Sequence, residues 1–527
     1  SDLATWLAIG ASIFASNIGS EHLIGLAGAG ASSGMAMAHW EIQGWMILIL
    51  GWVFVPFYSR SMVYTMPEFL ERRYNPQSRT ILSVISLVSY VLTKVAVTVY
   101  AGGLVFQQVF GIKELWGIDF FWIAAIGLVV LTAIYTIFGG MKSVLYTSVL
   151  QTPILLLGSL IILVLGFKEL GGWDEMMRVC GAVTVNDYGD TMTNLIRSND
   201  DANFPWLGAL IGSAIIGFWY WCTDQFIVQR VLSGKNEKEA RRGTIFGAYL
   251  KLLPVFLFLI PGMIAFALHQ KYIGAGGEGF LPMLANGTAN ADAAFPTLVA
   301  KLLPAGVKGL VVCGILAALM SSLASLFNSS AMLFTIDFYK RFRPETPEKK
   351  LVGIGQVATV VIVILGILWI PIMRSVGDVL YTYLQDVQSV LAPGIAAAFL
   401  LGVCWKRTSA QGGMWGLISG MVIGLTRLGA KVYYSNAGEV ADSTFKYLFY
   451  DMNWLFFCGW MFLFCMIVVI VVSLTTKAPT AEKIQGLVFG TATKEQKAAT
   501  RVSWDHWDII HTVIILSITA AFYWYFW

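Results

Sequence analysis

Asn17, Glu21 and His22 stand within an otherwise apolar stretch, in the run Ser12-Ile-Phe-Ala-Ser-Asn-Ile-Gly-Ser-Glu-His22. An amide, a carboxylate and an imidazole this close together can bond a polar solute, and Gly19 beside them loosens the backbone that carries them. A second polar interruption, Trp219-Tyr-Trp-Cys-Thr-Asp-Gln225, breaks another apolar stretch. Glu41, Lys251 and Gln385 are polar residues in further apolar segments, and Gln385 precedes Asp386, Gln388 and Pro393. Charges in such settings face a bundle interior or a wet cavity and pair with one another, so Glu41 is expected to meet Lys251. Lys94 reads instead as a structural or snorkelling lysine. Adjacent hydroxyls at Ser321 and Ser322 lie in Ala317-Ala-Leu-Met-Ser-Ser-Leu-Ala-Ser325. Small residues of this kind are ordinary packing surface. They also suit Na⁺, a hard cation that takes carbonyl and hydroxyl oxygens. Carbonyls freed at Ala15 and Ile18, with the Ala318 carbonyl and the two serines, would make a five-oxygen cage. No nucleophile elbow or metal-ligand spacing accompanies Glu41, His22 and Lys251, so an enzyme is not expected.

The elements that must position these groups are membrane helices. The 527-residue chain is 57% hydrophobic and 13% charged, where soluble domains average about 25% charged. A spanning helix needs about 20 apolar residues. Thirteen segments qualify, at roughly 3–29, 36–57, 80–110, 118–138, 143–167, 206–232, 244–268, 304–336, 351–372, 378–402, 411–433, 453–475 and 507–527, numbered here as spans 1–13. Trp116, Trp122, Trp454, Trp524 and Trp527 near span ends suit the membrane interface. The net charge of +4 is spread over loops and speaks to topology, not to nucleic acid. Alternate connections carry the basic residues, among them Arg60, Arg72, Arg73, Arg79, Arg230, Arg241, Arg242, Lys349 and Lys350, which places them in the cytoplasm. The chain opens at Ser1 without Met or a signal-peptide pattern, and an upstream piece is expected. Six cysteines, of which Cys180 sits in an outer loop, give no disulfide framework.

Irregular backbone at membrane depth survives where it lines a cavity. Broken helices in corresponding positions of two halves mark the solute and ion site of a secondary transporter. The breaks in spans 1 and 6 would open two five-helix halves, inverted because each half holds an odd number of spans. The expected organisation is a first half over 1–167, an outer loop at 168–205, a second half over 206–402, and peripheral spans 11–13 over 403–527 with a cytoplasmic loop at about 477–505.

Ser16-Asn-Ile-Gly-Ser20, the Tyr135-Thr-Ile-Phe-Gly-Gly140 turn, Trp219-Tyr-Trp-Cys-Thr-Asp-Gln225, Leu319-Met-Ser-Ser-Leu323, Phe327-Asn-Ser329 and Trp405-Lys-Arg407 resemble the sodium/solute symporters, and above all their sodium/glucose cotransporter branch. The resemblance covers nearly the whole chain in order and spacing. It implies an all-α LeuT-type fold with a five-plus-five inverted repeat and one further helix upstream. It also implies a multi-pass protein of a plasma or bacterial inner membrane, with Na⁺ as coupling ion and no obligate protein partner. The implied sodium site is Ala15, Ile18, Ala318, Ser321 and Ser322. The implied sugar contacts are Asn17, His22, Glu41, Trp221, Lys251 and Gln385, with Tyr220 closing beneath the sugar on the cytoplasmic side. The implied activity is sodium-driven symport of a hexose, glucose and/or galactose, by alternating access. The alternatives are myo-inositol or another polyol, or a non-transporting sugar sensor. Gly217 and Gly44 replace polar residues of some relatives, and Ser148 stands where an Asp of two-sodium members is common. One Na⁺ per sugar is therefore expected.

Overall fold

The computed structural model describes residues 5–63, 66–376 and 379–527, apart from the side chains of 135–150, 225, 226, 328, 374 and 375. The molecule is built from helices, and the one sheet among the described residues is the two-residue hairpin Glu114–Leu115 with Ile118–Asp119. Ten described helical segments are long and apolar enough to cross a bilayer, and Trp6–Asn17 and Phe120–Ile134 are shorter apolar helices. Span 11 forms the helix Ala410–Asn436.

Span 1 breaks where its glycine and polar residues stand. Its inner helix, Trp6–Asn17, stops because Ile18 is extended, with φ −84° and ψ 110°. The Ile18 N–H still reaches the Phe14 carbonyl at 3.1 Å, but among the described residues no backbone N–H donates to the carbonyl of Ala15 or Ile18. The chain re-enters as a π-helix, Glu21–Leu26, with the N–H groups of His22 and Leu23 both on the Gly19 carbonyl, and continues as Ala27–Ser33. Span 6 repeats the device. Helix Trp206–Gly217 passes into a π-helix, Phe218–Thr223, then an extended Asp224, then helix Gln225–Leu232. Single π turns inside α-helices commonly sit at functional sites.

One expectation changes. Spans 4 and 5 fall on one helical element, Phe120–Leu170. A glycine pair costs a helix only about 1 kcal/mol per residue and does not by itself end it. The Tyr135–Gly140 motif and Ser148 lie where no side chain is described. Between spans 1 and 2 the turn is tight, and Gly34 makes it with φ +68°, a region that side chains disfavour. A Cβ there would also lie 2.1 Å from the Met192 carbonyl oxygen of the outer loop.

The loop over 168–205 covers its end of span 1. Met35 N–H donates to the Met192 carbonyl at 2.9 Å, and Arg197 donates to the Ser33 carbonyl. Burial draws the Arg197 guanidinium down to about 10, against the opposing pull of Asp201 and Asp190. Between spans 7 and 8, Asp292 accepts from the Leu380 N–H and from the Tyr100 hydroxyl, each at 3.0 Å, tying its loop to spans 10 and 3. Residues 22–31 are buried beneath this cover, whereas Thr5–Ala8, Ala11 and Ala15 of the inner helix are exposed.

Candidate functional site

The two breaks, the start of span 2, one face of span 3, the kink of span 7 and the start of span 10 line a polar cavity of about 60 Å³. Each element delivers its side chain for a local reason. Asn17 is the last residue of the first helix of span 1, and His22 opens the π-helix beyond the break. Glu41 ends the short helix Ala38–Glu41, where Ile42 leaves helical geometry. Lys251 follows helix Glu237–Leu250, just ahead of Pro254, which has no N–H to continue a helix. Tyr381 and Gln385 are four residues apart near the start of helix Leu380–Cys404 and so share a face.

Glu41 is the hub. Its Oε2 accepts from the Lys251 ammonium at 2.7 Å, and its carboxylate lies 3.2–3.3 Å from His22 Nε2. The Tyr381 hydroxyl donates to its other oxygen. Glu41 is 1% exposed and Lys251 4%, so the pair is dry on the protein side and open only toward the cavity. The Lys251 ammonium also sits 5.3 Å from the centre of the Trp221 ring. Across the broken helices the Tyr220 hydroxyl donates to Asn17 Oδ1 at 3.2 Å.

All seven solute-contact candidates, Asn17, His22, Glu41, Tyr220, Trp221, Lys251 and Gln385, line this one cavity. Lys94, expected as structural or snorkelling, lines it too, with its ammonium 3.9 Å from Glu21. Sequence reasoning missed Trp40, Gln43 and Tyr381, which also line it. Tyr381 was within reach, because it precedes Gln385 by one helical turn. Trp40 stands in the four-residue helix that Glu41 ends and Gln43 in the turn after it, too short a stretch for a period to mark which side chains turn inward.

Four buried polar atoms on these lining residues have no hydrogen-bond partner among the described residues: Asn17 Nδ2, His22 Nδ1, Trp40 Nε1 and Gln385 Oε1. Buried polar groups are normally satisfied, so each orphan asks for an explanation. Here all four belong to walls of the same cavity.

The sodium candidates are disposed differently. Ala15 and Ile18 offer the carbonyls that the break releases, Ala318 and Ser321 are buried, and Ser322 is exposed. The inner helix of span 1 packs mainly against Glu237–Leu250, whereas helix Ala305–Met332, which carries the serines, packs mainly against Phe120–Leu170 and span 9. The donor types fit a hard cation. The two halves of the cage take their main packing from different neighbours.

The model of the sodium:solute symporter family matches residues 2–420. Sodium/myo-inositol cotransporter 2 of Homo sapiens is 37% identical over 499 residues, covering 92% of this chain and 73% of that protein. Sodium/glucose cotransporter 1 of Ovis aries is 38% identical over 490 residues, covering 90% and 73%. Among solved structures, the substrate-bound outward-open state of a Na⁺-coupled sialic acid symporter superposes with a TM-score of 0.64 at 22% identity, covering 90% of this chain and 91% of that one.

Proposed function

Because the chain belongs to the sodium:solute symporter family, with its LeuT-type fold, many membrane-spanning helices and sodium as coupling ion, we propose that it carries a hexose, glucose and/or galactose, into the cell with one Na⁺ per sugar. The observation that carries this reading is the set of orphaned donors and acceptors around the cavity. A polyhydroxylated ring offers a hydroxyl to each of them, and a site that bonds particular hydroxyls rejects analogues lacking them. Charge supports a neutral solute: the carboxylates of Glu21 and Glu41 face the ammonium groups of Lys94 and Lys251. Trp221 and Tyr220, edge to face at 4.8 Å, supply apolar surface for the ring's C–H groups.

In this reading Glu41, His22, Lys251 and Gln385 hold hydroxyls while the Tyr220–Asn17 bond closes the floor. Na⁺ held by the carbonyls of Ala15, Ile18 and Ala318 and the hydroxyls of Ser321 and Ser322 would draw span 1 toward span 8. A ligand shifts such an equilibrium by its differential affinity for the two states. The sealed outer end and the exposed inner helix of span 1 fit a carrier facing inward, with the cage open. A cyclic polyol is the second reading, favoured by the similarity to the sodium/myo-inositol cotransporters.

The test is uptake of labelled glucose, galactose and myo-inositol into proteoliposomes with and without an inward sodium gradient. Sodium-dependent accumulation of a hexose is expected. Accumulation of myo-inositol alone would select the second reading, and binding without accumulation would make the protein a sensor.

A further inference from the structure

Gly217 ends the first helix of span 6 and lies on the cavity wall. A Cβ built on it would sit 2.8 Å from Gln43 Oε1 and 3.1 Å from Gln43 Cδ and Nε2, so the carboxamide of Gln43 lies against the glycine backbone. Gln43 is 3% exposed and stands between the short helices Ala38–Glu41 and Gly44–Ile49. Its Nε2 donates to the Ser213 carbonyl at 2.8 Å, one turn before Gly217. A carbonyl can only accept, so the amide end that meets Ser213 must be the NH₂ group. The other end is then the oxygen, an acceptor turned to Gly217 and the cavity. Among the described residues nothing donates to it.

We propose that Gln43, held by Ser213 and seated on Gly217, is a specificity-determining residue whose Oε1 accepts a hydrogen bond from one substrate hydroxyl. This rests on the reading of the cavity as a site for a polyhydroxylated solute. Span 2 thereby supplies a polar contact at the place that a side chain on residue 217 would fill, and a Cβ there would displace the Gln43 carboxamide. A solute lacking the hydroxyl that meets Gln43 leaves a buried acceptor unpaired, which weakens binding roughly 5- to 150-fold.

The experiment is sodium-driven uptake by the full chain in proteoliposomes, competed with glucose, galactose, myo-inositol and the single-deoxy glucoses. Gln43→Ala is expected to raise KM for the parent solute and to abolish discrimination against one deoxy analogue while leaving the others ranked as before. Gly217→Thr alone should lower uptake, because its Cβ would push the Gln43 carboxamide away from the Ser213 carbonyl. The double variant Gln43→Ala/Gly217→Thr, which clears that space and restores a hydroxyl, should recover it. A ratio between analogues is insensitive to how much protein folds. An unchanged KM and ranking in Gln43→Ala, or Gly217→Thr as active as the double variant, would overturn the assignment of Gln43 alone. If the unmodified protein accumulates neither hexose nor polyol, the functional reading and this inference fall together.

Discussion

An ammonium, an imidazole and a phenol all converge on the Glu41 carboxylate. Removing one side of such a buried pair leaves the other charge uncompensated, at a cost on the order of 3–5 kcal/mol. Glu41→Gln keeps the shape but leaves Lys251 unbalanced and turns an NH₂ toward Tyr381 or Lys251. Uptake is expected to fall by at least tenfold. If apparent sugar affinity in that variant matched the unmodified protein, the pair would be a helix brace and not a solute contact. Tyr220 acts through two separable features, its ring and its hydroxyl on Asn17. Tyr220→Phe should keep most of the transport and Tyr220→Ala should lose coupled accumulation. A fully active Tyr220→Ala protein, measured by sodium-driven uptake, would place the inner gate elsewhere.

At the scale of elements, the broken helices of spans 1 and 6 do two things. They release backbone groups that an intact helix would satisfy internally, and they bring residues of opposite helix ends to one depth. Among the described residues the freed carbonyls of Ala15 and Ile18 have no backbone donors, which is what a cation site asks of its ligands. Coupling free energies of about 1–3 kcal/mol correspond to roughly 5- to 150-fold tighter sugar binding when Na⁺ is bound. Ser322→Ala removes one oxygen from the proposed cage without touching the sugar pocket. It should reduce this sodium dependence before it abolishes sugar binding. Equal sugar affinity of the unmodified protein in sodium and choline buffers would remove the basis for the cage.

For the whole molecule, closure is asymmetric. One end of span 1 is held by Met192, Arg197 and Asp292, while Thr5–Ala8, Ala11 and Ala15 at its other end are exposed. Asp292 is the latch whose loss is easiest to read, because it joins the loop between spans 7 and 8 to the first backbone N–H of span 10 and to Tyr100. A lost hydrogen bond that leaves its partner buried costs about 1–3 kcal/mol. Asp292→Ala should raise hydrogen exchange at the start of span 10 and across 27–33, with sodium-driven uptake reduced but retained. Unchanged exchange in both segments would show that the outer side is held by other contacts.

How much of this was legible in the sequence depended on the kind of constraint. The membrane class, both helix breaks and the meeting of Glu41 with Lys251 follow from one physical fact: hydrocarbon leaves polar groups and loose backbone nowhere to go but inward, so their types and positions betray them. What only the tertiary structure decided is which ordinary residues share that interior. Trp40 and Gln43 sit in a four-residue helix and the turn after it, too short for a period, Lys94 turned to Glu21 and not to the bilayer end, and Gly217 proved to be the seat of a glutamine side chain from another span. Those facts depend on how helices far apart in sequence cross, and a one-dimensional pattern does not encode the crossing.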